Sequence, residues 1–347
     1  MRLTMPILAS VLTAMLVLFP SLAGNASTPE NSRAALIRTR LTHANQWRGH
    51  VMVVAHRAGW KDHGQVLRAE NSLDAIDAAV ALGVDAVELD VRRSADGVLV
   101  ILHDATLDRT TTCQGAVSAR TLAELKTCRL VVEGERRVTD ESVPTLAEML
   151  SHAKGRILVN IDNKLEAADL PEIANLARSL GMADGILLKH AIWNEQRLAE
   201  TQSALAGIDR DIAFMPIFAD DAVRDAGFMA KVTAAFDAPA AELIVWQRQA
   251  GQPMTEAGGP LFSTAAQVAA LKGGWHMWIN TYPITDRPEG MVAGGRGDGL
   301  AFAVGRPDDV YGFWINHGAT IIQTDEPRAL IDWLEANGHR LPYGLTQ

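Results

Sequence analysis

Cysteine is nearly absent: the 347-residue chain has two, Cys113 and Cys128. With no CxxC pair and no Cys/His cluster at zinc spacing, a disulfide-rich scaffold and a thiolate metal site are both excluded. A basic surplus is also lacking, since 32 Lys plus Arg stand against 41 Asp plus Glu, a formal charge of -9. A protein that holds nucleic acid through a broad basic surface is therefore excluded, and nucleic acid is not an expected partner. What is present is an ordinary globular composition, 48% hydrophobic and 21% charged. The length allows one large domain or two small ones.

The N-terminus pairs Arg2 with the apolar run Pro6–Ala23 and the small residues Gly24-Asn25-Ala26. That is the pattern of a secretory signal, so residues 1–26 are set apart from the fold. The alternative is an uncleaved anchor, although the run is at the short end of the roughly 17–25 residues that a spanning helix needs. No second stretch is as long, so no stable membrane insertion of the mature chain is expected. Export places the body in the periplasm or outside the cell, where Cys113 and Cys128 can close a loop of about fifteen residues. Two free buried thiols are the other possibility, and the spacing leaves both open.

Residues 27–50 are polar with scattered Ala and Leu and suggest a lead-in helix. Apolar strand-like runs then alternate with helical stretches over residues 51–340: Val51–Ala55, Ala86–Val91, Ile157–Ile161, Ile186–Lys189, Ile212–Ile217, Leu243–Trp246, Met277–Asn280 and Thr320–Gln323. Eight such runs predict an α/β fold, a TIM (βα)8 barrel, in one domain. Two segments break the rhythm. One is a small insertion after the second strand, Ala105–Ser142, which holds both cysteines, and the other is a Gly-rich decorated loop before the last strand, Thr285–Pro307.

Active sites of such barrels lie at the C-terminal ends of the strands. The first run leads straight into His56-Arg57, a pair that favours an anionic substrate, although a lone strand-end histidine is often structural. The second places Glu88 and Asp90 on one face, and two acids inside a barrel need a cation: a hard divalent metal, or salt bridges to Arg92 or Arg93. A turn at Asp96-Gly97 leads into another apolar strand ending in His103, so a general acid and a general base are both available. In the third run Asp162 and Lys164 share a face, where they complete a metal site and touch an anion, or else begin a helix with a solvent lysine.

These residues, with Glu70-Asn71-Ser72, Leu107-Asp108-Arg109-Thr110-Thr111, Val143-Pro144-Thr145-Leu146, Trp278-Ile279-Asn280-Thr281 and Thr324-Asp325-Glu326-Pro327, form ordered blocks from about residue 50 to 337. The series resembles the glycerophosphodiester phosphodiesterase family. The resemblance implies a TIM-barrel enzyme that uses a divalent cation, Ca2+ or Mg2+, to hydrolyse glycerophosphodiesters to glycerol 3-phosphate and an alcohol. By position it implies His56 and His103 as the acid-base pair, Glu88, Asp90 and Asp162 as metal ligands, and Arg57 and Lys164 as contacts to phosphate. Glu70 and Asn71 would line the site, with Glu70 or Asn71 orienting Arg57 or a ligand water. Trp278 and Asn280 share a strand face expected at the mouth, or in the core.

Two departures stand out. An extra Ala58 separates Arg57 from Gly59, and Asp162 stands where the family more often has glutamate. Asp-x-Lys is similar to the sphingomyelinase D relatives of this fold, so a lysophospholipase D-like or sphingomyelinase D-like activity on lipids is the alternative, and a non-catalytic phosphodiester-binding barrel a further one. His190 and Gln247 also follow strands. Asp325 is expected to start a helix, Asp104 and Arg109 to hold the loop after His103, and Asp298, Asp308 and Asp309 to lie in a solvated loop.

Overall fold

The computed structural model describes residues 32–249, 251–284, 292–341 and 343. The expected signal at 1–26 and part of the Gly-rich loop, 285–291, lie outside them. The barrel strands are β1 (Met52–Ala55), β2 (Ala86–Arg93), β3 (Leu158–Asn163), β4 (Ile186–Ala191), β5 (Ala213–Ala219), β6 (Ala240–Ile244), β7 (His276–Asn280) and β8 (Ala319–Thr324). Each pairs in parallel with the next, and β1 pairs with both β8 and β2, which closes the barrel. The strands are buried on both faces and therefore appear in sequence as apolar runs. One expected strand is displaced: the strand expected at 243–246 starts at Ala240, because Ala240-Ala241-Glu242 lacks the β-branched residues that mark the others.

Helices cover the outside, several with caps already written in the sequence. Ser72 Oγ accepts from Ala75 N at the start of Leu73–Leu82, and Gly83 ends that helix in the left-handed region, φ 88°. Thr145 and Glu148 form a reciprocal capping box on Leu146–Ala153. Strand alternation then divides the core. Val53, Val87, Leu89, Val159 and Ile161 face the helices, while Met52, Val54, Ala86, Leu158, Leu187, Met215, Trp278 and Ile321 fill the barrel interior. The lead-in folds as the helix Arg33–Thr42, whose Ile37 and Leu41 join that interior cluster. Following the same inward parity along the strands, Glu88, Asn160, Lys189, Glu242, Asn280 and Gln323 form a buried polar layer above the apolar one.

The insertion packs Leu107, Val117, Leu125 and Leu130 against Ala69, Val100, Leu102 and Val143 in a small separate core. It contains an antiparallel hairpin, Arg129–Val132 with Arg137–Ser142, and Cys113 and Cys128 are joined as a disulfide. No helix among the described residues is long and apolar enough to cross a membrane.

Candidate active site

After β1 the chain turns sharply, with Arg57, Ala58 and Gly59 at φ 49°, 70° and 93°. Glycine suits that region, whereas Arg57 and Ala58 are held in it against their Cβ atoms. The turn is how the extra Ala58 is accommodated. It buries His56 and brings the Arg57 N–H to Glu88 Oε2 at 2.9 Å.

His56 Nδ1 lies 2.8 Å from Asp325 Oδ1. An ionised carboxylate only accepts, so Nδ1 carries the hydrogen and Nε2 is the ring's acceptor. Trp60 Nε1 donates to the same oxygen at 2.9 Å, and Lys61 Nζ lies 3.3 Å from Oδ2. Burial would raise the Asp325 carboxyl, but His56, Lys61 and Arg57 outweigh it and hold it down at about 2. Burial holds the His56 imidazole below its usual range despite Asp325. The Tyr282 ring stacks on His56, with centroids 3.6 Å apart.

Asp325 is therefore not a helix cap. The helix Pro327–Ala336 starts from Glu326 without a side-chain cap, and Asp325 is turned toward β1 because β8 closes the barrel beside it. Asp298 also departs from expectation. Instead of lying in a solvated loop it is buried, accepting from Thr324 Oγ1 and the Asp325 N–H, each at 2.8 Å. Burial and the neighbouring Asp325 push its carboxyl up to about 7. Asp308 and Asp309 do lie near the surface, where Asp309 pairs with Arg306.

Glu88, Asp90 and Asp162 converge as the sequence predicts: each offers an oxygen, all within 4.8 Å of one another. Register explains the meeting, since Asp90 pairs directly with Asp162 across β2 and β3. Asn71 Nδ2 donates to Asp90 Oδ2 at 2.8 Å, and Lys164 Nζ lies 3.0 Å from Asp90 Oδ1 and also contacts Asp162 Oδ2. Burial and the other two acids push the Glu88 carboxyl well up. Asp90 is held well down, burial being outweighed by Lys164, His103 and Arg57. The donor set is all hard oxygen, with Glu88 and Asp90 buried and Asp162 half-buried. Those features fit a calcium- or magnesium-like cation.

The strand expected to end in His103 is Leu99–Ile101, two residues short of it, and it runs antiparallel to the end of β2, which carries the histidine back down beside Asp90. The Leu102 N–H donates to the Asp90 carbonyl at 3.0 Å, and Arg92 Nε donates to the His103 carbonyl at 2.9 Å. His103 Nδ1 meets Asp104 Oδ1 at 2.7 Å, which repeats the arrangement at His56. Asp104 is in turn gripped by Arg109 through Nε and Nη2, at 2.8 and 2.9 Å. Arg109 also reaches both oxygens of Glu70 at 2.8 Å, and Glu70 Oε2 accepts from Arg57 Nη1 at 2.7 Å. Arg109 and Asp104 thus do more than hold a loop: they tie half-buried His103 to buried Arg57 in one chain of charge-assisted bonds. Glu70 holds Arg57, one of the contacts its sequence block allowed, and Asn71 holds Asp90, which the block did not specify.

Deeper in the barrel, Lys189 Nζ lies 3.0 Å from Glu242 Oε2, and Asn280 Nδ2 donates to Glu242 Oε1 at 2.7 Å. Neither Lys189 nor Glu242 is marked by a motif. Asn280 does reach the site region, donating to Tyr282 Oη at 3.2 Å. Trp278 does not line a mouth pocket: it is 1% exposed, fills the barrel interior and donates through Nε1 to Asn280 Oδ1. It sits one inward position below Asn280, in the apolar layer. His190 contacts Arg197 and Gln247 contacts the Gln252 carbonyl, so each serves its own loop.

Comparison with known proteins bears on the family and the fold. The glycerophosphoryl diester phosphodiesterase family model matches residues 56–249, and a domain of unknown function matches residues 214–334. A glycerophosphodiester phosphodiesterase of Caldanaerobacter subterraneus subsp. tengcongensis is 38% identical over 114 residues, 33% of this chain and 45% of that relative. The chain thus matches less than half the length of that relative. The crystal structure of glycerophosphodiester phosphodiesterase from Agrobacterium tumefaciens aligns with a TM-score of 0.55 at 25% identity, over 81% of this chain and 99% of that one. An Oleispira antarctica phosphodiesterase in complex with the product sn-glycerol-3-phosphate aligns with a TM-score of 0.51 at 19% identity, over 82% of this chain and 96% of that one. With the family model covering more than half of its residues, the chain belongs to the glycerophosphoryl diester phosphodiesterase family.

Proposed function

We propose that this protein is a metal-dependent phosphodiesterase that hydrolyses glycerophosphodiesters to glycerol 3-phosphate and an alcohol. The observation that carries it is the pair of carboxylate-backed histidines, His56 on Asp325 and His103 on Asp104, around the cluster of Glu88, Asp90 and Asp162. The names of the relatives, and the glycerol 3-phosphate in the Oleispira complex, support the same substrate class.

Glu88, Asp90 and Asp162 would hold the divalent cation, Ca2+ or Mg2+, which when bound stabilises negative charge on the non-bridging phosphate oxygens. Arg57, fixed by Glu70, and Lys164 add positive charge on the same side. His56 is neutral near pH 7 and its Nε2 can accept a proton from the attacking hydroxyl, of water or of the glycerol itself. His103, oriented through Nδ1 by Asp104, then gives a proton to the departing alkoxide.

The test is release of glycerol 3-phosphate from glycerophosphocholine and glycerophosphoethanolamine. Turnover is expected to vanish on chelation and to return with Ca2+ or Mg2+. Turnover indifferent to chelator would remove the metal from the mechanism, and cleavage of lysophospholipid alone would move the substrate class to lipids.

We also propose that the chain is exported to the periplasm or beyond, a reading supported by the signal-like residues 1–26 and by the Cys113–Cys128 disulfide. Protein recovered from the native host is expected to begin near residue 27 and to resist thiol alkylation until reduced. An intact Met1 in the recovered protein, with two alkylated cysteines, would contradict export.

A further inference from the structure

Lys189 is 4% exposed inside the barrel, on β4. Continuing the pairing of Ile161 with Leu188, it is the cross-strand neighbour of Asp162. Its ammonium lies 3.0 Å from Glu242 Oε2 and 3.6 Å from Asp162 Oδ1. Asp162 Oδ2 is in contact with Lys164, so both oxygens of this carboxylate face an ammonium group. Glu88 and Asp90 differ: Glu88 accepts a backbone N–H from Arg57, and Asp90 accepts from Asn71 Nδ2 and faces the Lys164 ammonium through one oxygen.

Burying an ammonium is costly unless it is repaid by more than one well-placed anion. Glu242, held by Asn280, repays part. The contact to Asp162 repays more, and it also relieves the repulsion among three carboxylates whose oxygens lie within 4.8 Å. A divalent cation entering the cluster meets the same carboxylate already engaged, and at a few ångströms in a poorly solvated interior two positive charges repel strongly.

We infer that Lys189 is an internal counter-cation that competes with the divalent metal for Asp162 and so sets the metal affinity of the site. The inference rests on the metal-dependent reading above and deepens it. It makes Lys189 a positioning residue: Lys189 touches the ligand set and leaves the reacting atoms to others.

Isothermal titration calorimetry with Ca2+ and with Mg2+, at fixed pH and ionic strength, tests it without reference to turnover. Lys189→Met is expected to tighten cation binding by about tenfold or more. Glu242→Gln, which leaves Lys189 to lean on Asp162 alone, is expected to weaken it. The double variant Lys189→Met/Glu242→Gln changes no net charge and leaves no carboxylate at position 242 stripped of its ammonium. It is expected to remain tighter than the wild type, and it carries the test if Lys189→Met alone does not fold. Equal affinities for the wild type and the double variant would make Lys189 a structural partner of Glu242 and overturn the inference. Weaker binding by both Lys189 variants would mean that Lys189 holds Asp162 ready for the metal, and would overturn it as well. No cation binding by the wild type would instead bring down the metal reading on which the inference stands.

Discussion

Replacing His56 with alanine is expected to lower kcat for glycerophosphocholine hydrolysis by about 10^2 to 10^4-fold, and His103→Ala to do the same. His103→Ala should leave the melting temperature within a few degrees, because its half-buried ring belongs to no hydrophobic cluster among the described residues, whereas His56→Ala also loses the Tyr282 stack and leaves buried Asp325 without that partner and is expected to lower it. The more telling variant is Asp325→Asn. Its amide oxygen can still accept from His56 Nδ1 and Trp60 Nε1, so the tautomer is kept while the charge is lost. The Asp325 carboxylate favours the imidazolium, and burial opposes it. Removing the carboxylate must therefore move His56 further down, and if His56 is the base, the acid limb of kcat/KM shifts to lower pH. The measurement is the pH dependence of kcat/KM for wild type and Asp325→Asn. An acid limb that stays in place, or a His56→Ala enzyme within about tenfold of wild type, would remove His56 from the role of base.

The contrast between Asp325 and the acids of β2 shows what could be read from the chain alone. Glu88 and Asp90 are two apart on one strand, so alternation places them on one face without any knowledge of the fold. Asp162 joins them because β3 pairs in parallel with β2, which a barrel of consecutive strands requires. Asp325 reaches His56 across 269 residues of sequence. Before a Pro-headed helix an aspartate is most economically a cap, and only closure between β1 and β8 reveals its other role. For Trp278 the sequence leaves both the mouth and the core open, and the structure places it in the core. Its inward parity was legible, but its depth depends on strand stagger, which periodicity does not contain. Lys189 and Glu242 were hidden for a related reason: a charged residue near the end of an apolar run looks like a rim residue until neighbouring strands show that it is enclosed. The disulfide was open because fifteen residues of spacing suit either outcome, and the fold of the insertion brings Cys113 and Cys128 together.

At the opposite end of the barrel, Asp85→Ala is expected to destabilise the protein by about 3–5 kcal/mol, the usual consequence of removing one partner of a buried ion pair. Asp85 is fully buried just before β2 and binds two separate parts of the chain, β1 and the C-terminal segment. It accepts from the Val53 N–H at 2.7 Å, from Arg340 Nη1 at 2.7 Å, and from the Tyr343 hydroxyl. Arg340 meanwhile donates to the Gly83 carbonyl at 2.5 Å, so the C-terminal segment is stitched beneath β1 and the turn before β2. Burial would raise the Asp85 carboxyl, but Arg340, His50 and Tyr343 outweigh it and hold it below its usual value. The sign of the pH dependence follows. A carboxylate depressed in the folded state contributes its full stability above its unfolded value of about 3.9 and loses it as pH falls through the folded value. Urea unfolding of wild type and Asp85→Asn should therefore differ by a constant amount between about pH 5 and pH 8, and the gap should close only under stronger acid. Asp85→Asn keeps the acceptor for Val53 N–H, so its deficit is expected to be smaller than that of Asp85→Ala, and the difference between the two separates the charge from the hydrogen bond. Equal stability of Asp85→Asn and wild type at pH 7 would show that Arg340 contributes no net stabilisation through this pair.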